Sequence, residues 1–384
     1  MLRPLAFLAS LWCGMACAQT VTTGAADKII DAGSRPLLVR VGGRVKQSVG
    51  PKVGSRRGTV YAHQWPGVYF ETAFEGEMLF LNFDDNVNEY RLLIDGGAPF
   101  SLKPSGQIAT KVSGLGKKVH RVRLEKVTES ASRIGKFGGF YVPQNGRVLP
   151  LRRPTRQIEF IGDSSMTGYG DRSSSTQCTA QEARALTDTQ GAYPALLAKS
   201  FGADYQINAI SGRGLIRNYA GSSPGKGMRE IYPYVFFDLT EPYREYSWRP
   251  EIIIVRLIAD FVTPLKPGER WKNMADLSAE YISAYGNFIR DLHNRSPTAT
   301  ILIWWPESAQ VNDPAFAQML QVAQRSMEQT ASEAGVKRIA FFSPPGVATE
   351  GTACDHHFSL SNHRTIAAWI RTYLIKHPSF WDGT

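Results

Sequence analysis

The sequence predicts two domains of different class, an all-β sandwich followed by an α/β domain built on a doubly wound parallel sheet. Three observations carry this. Before about residue 150, apolar and polar residues alternate with period two and helical periodicity is poor. After about residue 154, short apolar runs alternate with amphipathic helical stretches. The 384 residues, 43% hydrophobic and 20% charged, are enough for two packed cores and exclude a disordered chain.

The expected organisation is an export signal over 1–18, a sandwich over 19–153 and the α/β domain over 154–384. Arg3 supplies the positive start, Leu5 to Met15 an apolar stretch, and Ala16-Cys17-Ala18 a small-x-small cleavage site ahead of Gln19. The apolar stretch is too short for a spanning helix, so no membrane association is expected once the signal is removed. A lipoprotein reading through Cys17 lacks the usual branched residue three positions before it. Cleavage removes Cys13 and Cys17 and leaves Cys178 and Cys354, an even pair in an oxidising compartment. A disulfide between them is expected, with two buried thiols as the alternative. The net charge of +10 comes from scattered residues with no basic run, so nucleic-acid binding is not expected.

In the first domain, Leu79, Leu81 and Phe83 share a face, as do Tyr90, Leu92 and Ile94, and His120, Val122 and Leu124. Asp95-Gly96-Gly97 and Gly114-Leu115-Gly116 supply turns between runs. In the second domain the strand-like runs are Ile158–Ile161, Tyr205–Ile210, Ile252–Leu257, Thr300–Trp305 and Arg338–Phe342. The clearest helix carries Leu277, Tyr281, Ile282, Tyr285, Phe288, Ile289 and Leu292 on one face, and the last runs from Arg364 to Lys376. In such sheets ligands bind outside the carboxyl ends of the strands, so the chemistry should lie just after each run.

Three loops meet that expectation. Gly162-Asp163-Ser164-Ser165 follows the first run, placing a serine at a strand-to-helix turn where its N–H joins the free donors of the helix start. Such a serine suits a nucleophile, or a turn that only caps a helix. Ser211-Gly212-Arg213-Gly214 follows the second run, and a glycine there lets the backbone present an N–H closely. Cys354-Asp355-His356-His357 lies near the C-terminus. His357 suits a general base toward Ser164, oriented by Asp355, with a backbone carbonyl as the alternative. His356 reads as a flanking residue and His363 as packing or capping support. No cysteine or further carboxylate stands at metal spacing, so neither a metal nor any other cofactor is expected.

Serine, glycine and Asp/His blocks, each at a strand end, resemble the SGNH (GDSL-type) hydrolases from Arg156 onward. Trp65-Pro66-Gly67-Val68-Tyr69-Phe70 and Phe83-Asp84-Asp85-Asn86 are similar to the sandwich of family 2 carbohydrate esterases. Asn208–Tyr219, Asp260-Phe261, Thr263-Pro264-Leu265 and Pro267-Gly268-Glu269-Arg270-Trp271 are similar to the same group. The resemblance implies an exported acetylesterase joining a jelly-roll sandwich to an SGNH-hydrolase-like domain. It implies a Ser-His-Asp mechanism on acetylated hemicellulose, xylan or xyloglucan, with Ser164 and Gly212 N–H groups in the oxyanion hole. A periplasmic O-acetyltransferase and a catalytically impaired carbohydrate-binding descendant are the alternatives.

Two departures stand out. Family members usually place an oxyanion-donating asparagine in Gly-x-Asn-Asp, whereas here the segment reads Leu257-Ile258-Ala259-Asp260. Arg256, a charged residue ending an apolar strand, is the candidate replacement donor. An arginine of an edge strand paired to a carboxylate is the alternative. In the last block Asp355 stands two residues before His357, and Phe358 occupies the usual proline position. A sugar substrate asks for aromatic faces. Trp248, Trp271, Trp304 and Trp305, at or just past strand ends, are the candidates. Core packing competes for each of them, and outranks binding for Trp65 and Tyr69 in the sandwich.

Overall fold

The computed structural model describes residues 19–53, 56–130, 133–306, 314–346 and 350–382. The stretch read as an export signal, with Cys13 and Cys17, lies outside the described residues. Among the described residues no helix is long and apolar enough to cross a membrane.

The first domain is an antiparallel sandwich. One sheet runs in the order Thr20–Gly24, Gly106–Ser113, Leu79–Asp85, Gly135–Val142, Arg56–His63, Val45–Val53. The other runs Arg147–Leu149, Tyr69–Gly76, Lys118–Lys126, Tyr90–Ile94, Phe100–Leu102. The short strands Arg35–Pro36 and Arg40–Gly42 pair at their sides. Period-two alternation sends every second residue inward. Leu79, Leu81, Phe83, Tyr90, Leu92, Ile94, Val122 and Leu124 accordingly meet in one apolar core around Phe70 and Phe137. His120 is also buried, its Nδ1 bonded to Asp95 Oδ2 at 2.8 Å.

The second domain carries a five-stranded parallel sheet in the order Asp204–Ala209, Gln157–Gly162, Ile252–Arg256, Thr300–Trp304, Ile339–Phe342. The first four strands in that order are buried on both faces and the edge strand Ile339–Phe342 is partly buried, which is why the central strands read as near-continuous apolar runs. Ile252 and Ile254 point into a layer with Leu197, Ile366 and Ile370, from helices Tyr193–Ser200 and Leu360–Lys376. Ile253 and Val255 point the other way, to Leu277, Tyr281, Phe288 and Leu320, from helices Met274–Arg295 and Pro314–Glu333.

The two domains share a core. Trp65 is 1% exposed, packs edge-on against Phe237 at 4.8 Å, and donates through Nε1 to Tyr234 O. Tyr69 is equally buried and its hydroxyl donates to Asp204. Both are therefore packing residues at the junction. Gly67 holds φ +69°, and a Cβ there would stand 2.6 Å from Ile207, so glycine is what lets this loop lie on the parallel sheet. Arg44 crosses the same junction. It pairs with Glu159 at 3.2 Å and lies between the rings of Tyr232 and Tyr243.

Candidate active site

The strand order changes direction between Gln157–Gly162 and Ile252–Arg256. From the first of these the chain moves outward to Asp204–Ala209, then returns past it to Ile252–Arg256. That reversal opens a crevice at the carboxyl ends. Gly162 and Arg256 are register partners across it. A Cβ on Gly162 would stand 2.6 Å from Met166 Sδ and 2.9 Å from Arg256 O, so no larger residue fits before the turn. Asp163 then caps the helical turn Ser164–Thr167, its carboxylate accepting from Ser165 N at 2.9 Å.

His357 Nε2 lies 2.7 Å from Ser164 Oγ. The two residues are 193 apart in sequence. On the other side of the ring, Nδ1 lies 3.0 Å from the carbonyl oxygen of Cys354. A carbonyl only accepts, so Nδ1 carries the proton and Nε2 is left as the acceptor for the serine hydroxyl. The expectation that Asp355 orients the ring is corrected by this contact. Asp355 is exposed, and its Oδ2 accepts instead from the Tyr169 hydroxyl at 3.1 Å. The reason is backbone geometry: Asp355 and His356 both hold left-handed φ, 51° and 58°, which turns the carboxylate away while the chain doubles back.

Such a turn persists only when its surroundings over-determine it. Here Asp355 N donates to Thr176 O at 2.8 Å, His357 N to Cys354 O at 2.9 Å, and Ala353 N to His357 O at 3.0 Å. Cys354 is also bonded to Cys178 in a disulfide, as the sequence led us to expect. Gly170 holds φ +58° beside it, where a Cβ would lie 2.5 Å from that of Cys354. His356 is exposed. His363 is buried, and its Nδ1 accepts from Tyr193 N at 3.2 Å. Burial first, and then the neighbouring His357, push its pKa down to about 3, which keeps it a neutral packing group.

The loop after the second strand holds Gly212 at φ +73°, with its carbonyl accepting from Tyr219 N at 2.8 Å. Asp260 anchors the following residues, accepting from the N–H groups of Leu215, Ile216 and Arg217 at 2.7–2.9 Å. Burial raises its pKa to about 6 against those three donors. Ala259 is buried beside it and offers no side-chain donor.

Arg256 does not stand as a free donor. Its NH1 donates to Asp163 Oδ1 at 3.2 Å, and its guanidinium lies over Trp304 at 5.1 Å. The oxyanion assignment is corrected to a carboxylate pair. That pair sits on the central strand of the sheet and not on an edge. Trp304 and Trp305 are each 4% exposed. Trp304 packs against Tyr193 and Phe358, and Trp305 against Tyr285, so the assignment of both to sugar stacking is corrected to core packing. Trp248 donates to Asp204, the first residue of its strand, and so lies at the amino end of the sheet, away from the crevice. Trp271 is half-buried on the wall of a cavity of about 560 Å³ with Arg217, Asn218 and Glu269.

Sequence reasoning passed over two neighbours of the site. The Tyr169 ring packs against His357 with centroids 4.6 Å apart and planes tilted by 47°, and the flanking Gly168 and Gly170 were its visible signal. Glu129, from the sandwich, receives both the N–H and the hydroxyl of Ser211. It had no local signal, because its partner lies 82 residues away. Among the described residues no group of three or more His, Cys, Asp or Glu side chains is placed to hold a metal ion.

Residues 52–151 match the family model for the N-terminal domain of carbohydrate esterase 2. An acetylxylan esterase/glucomannan deacetylase of Cellvibrio japonicus (strain Ueda107) is 37% identical over 349 residues, covering 91% of this chain and 93% of that protein. A solved carbohydrate esterase, whose active site is described as having divergent catalytic and non-catalytic binding functions, superposes with a TM-score of 0.80. It is 35% identical and covers 90% of this chain and 100% of that one. A family 2 enzyme with a carbohydrate-binding domain from Corynascus thermopiles (Myceliophthora fergusii) gives 0.70 at 27% identity, covering 88% and 98%.

Proposed function

The chain belongs to carbohydrate esterase family 2, and from that premise we propose that it is an exported acetylesterase acting on hemicellulose by serine catalysis. The observation that carries this reading is the 2.7 Å contact between Ser164 Oγ and His357 Nε2 at the switch point of the sheet.

In this reading Ser164 Oγ attacks the acetyl carbonyl carbon while its proton passes to Nε2 of His357. The carbonyl π pair moves onto oxygen, where the N–H groups of Ser164 and Gly212 receive it. The tetrahedral intermediate collapses, the ester C–O bond breaks, and His357 returns the proton to the departing sugar oxygen. Water then adds to the acetyl-enzyme by the same route and releases acetate. The Cys354 carbonyl does the orienting that a carboxylate does in a full triad, so the catalytic unit is Ser164 and His357. Xylan and glucomannan are the first substrates to test, because the Cellvibrio relative bears the name of an esterase for both; xyloglucan follows. Trp271 remains a candidate sugar contact. Export accords with the Cys178–Cys354 disulfide.

The test is acetate release from acetylated xylan, glucomannan and xyloglucan. Ser164→Ala and His357→Ala are each expected to lower kcat by about 10³-fold or more. A wild-type chain that frees no acetate, or a Ser164→Ala variant that frees it at the wild-type rate, would overturn the proposal.

A further inference from the structure

The sandwich reaches into the catalytic machinery through one side chain. Glu129 lies three residues past the sandwich strand Lys118–Lys126. Its Oε1 accepts from Ser211 N at 2.7 Å and its Oε2 from Ser211 Oγ at 2.6 Å. Ser211 immediately precedes Gly212. That Oγ, having given its own proton to Glu129, accepts from Thr167 Oγ1 at 3.0 Å, and Thr167 closes the helical turn Ser164–Thr167. A single chain of hydrogen bonds thus runs from the sandwich, through the loop of Gly212, to the turn that carries Ser164. Each carboxyl oxygen takes one Ser211 donor, which fixes the Ile210–Ser211 peptide plane and the Ser211 rotamer together.

We propose that Glu129 is a positioning residue for ester hydrolysis: it sets the Gly212 amide in register with the Ser164 turn, so that the sandwich is a working part of the active site. This rests on the serine-esterase reading above. Oxyanion stabilisation depends on donors already aimed where charge develops, and a shift of the loop by a fraction of a bond length weakens it. The carboxyl is well placed to be held still. Lys126 and Arg213 are the cations that act on it, and Glu129 and Tyr169 both line a cavity of about 740 Å³. Lys126 is itself fixed by the carbonyls of Gln64 and Trp65, at 2.7 and 3.1 Å. Burial raises the Glu129 pKa, and the Ser211 donors and Lys126 oppose that rise.

The experiment uses the full chain and compares Glu129→Ala, Glu129→Gln and Ser211→Ala with wild type and with Ser164→Ala. Steady-state hydrolysis of acetylated xylan is read alongside hydrogen exchange at residues 208–219. Glu129→Ala is expected to lower kcat by about tenfold or more, with KM changed less than about threefold, and to speed exchange at the Ser211 and Gly212 amides. Glu129→Gln keeps an acceptor for Ser211 N and a donor for its Oγ, and is expected to restore most of the lost kcat. A residue that merely joined the domains would lose stability in both variants and leave kcat of the folded fraction intact, and that result would overturn the proposal. Should Glu129→Ala not fold, Ser211→Ala decides: a kcat loss of about threefold or more at unchanged KM supports the proposal, and wild-type kcat sinks it. A wild-type chain without activity on any acetylated glycan would defeat the esterase reading alone. The exchange of the 208–219 amides in Glu129→Gln against Ser211→Ala would still decide the positioning claim.

Discussion

The carbonyl oxygen of Cys354 lies 3.0 Å from Nδ1 of His357, where the sequence pointed to the carboxylate of Asp355. A neutral acceptor fixes the same tautomer as a carboxylate but adds less stabilisation to the imidazolium formed as the serine proton transfers. Removing the orienting carboxylate of a full triad costs about 10⁴ in kcat. Asp355→Asn should therefore cost far less, about tenfold at most, through its hydrogen bond to Tyr169. Steady-state kinetics on acetylated xylan check this, and a loss near the triad value would return Asp355 to the catalytic unit.

The disulfide bears on the same contact. Cys354 supplies the carbonyl, and its bond to Cys178 joins positions 176 apart in sequence. Losing it should cost about 2–5 kcal/mol of stability, because the unfolded chain regains the freedom of a long loop. It should also free the left-handed pair Asp355-His356 to relax and carry His357 off Ser164. Cys178→Ser, or wild type under reductant, is expected to melt lower and to lose kcat well below its melting temperature. Unchanged kcat in the folded reduced protein would show that the backbone bonds alone hold the turn.

Much of this was legible because local pattern and global fold agree. The central parallel strands are buried on both faces, so the runs from Ile158 and Ile252 stand out within a residue of their observed ends. The blocks of Ser164 and Gly212 were found because each follows such a run, and that of His357 because it lies in the connection between the last run and the last helix. What escaped depends on through-space geometry. Asp355 and His357 are two apart in sequence, but two left-handed residues swing the carboxylate away. Trp304 and Trp305 end a strand, yet Trp304 is taken up by Tyr193, Phe358 and Arg256, and Trp305 by Tyr285. Glu129 meets Ser211 only because two domains of different class pack together.

The pairing of Arg256 with Asp163 predicts a different failure from that of an oxyanion donor. Asp163 is 5% exposed, and without Arg256 its buried carboxylate would keep, among the described residues, only the hydrogen bond that Ser165 N donates. Breaking such a pair from one side costs about 3–5 kcal/mol. Arg256→Ala is expected to lower the urea midpoint by a corresponding amount, while kcat of the folded fraction changes less than about tenfold. An oxyanion donor would show the reverse, a kcat loss of about 10²–10³ with stability intact. Urea titration and kinetics on one preparation separate the two.

Asp171 predicts how stability varies with pH. Its Oδ1 accepts from Asp188 N at 2.9 Å, and Oδ2 has no hydrogen-bond partner among the described residues. His363 Nε2 stands 4.0 Å from Oδ2. Burial, and then the Asp188 carboxylate, push the Asp171 pKa up to about 9. In the unfolded chain it returns to about 3.9. Between those values the folded state holds a proton that the unfolded state has released, so stability falls as pH rises. The contribution is complete below about pH 4 and is lost as pH climbs through about 9. Asp171→Asn keeps the shape and removes the titration. Urea unfolding between about pH 5 and pH 9 should give a steep decline in wild type and a flatter one in the variant. Equal slopes in the two proteins would mean that Asp171 is ionised in the folded state.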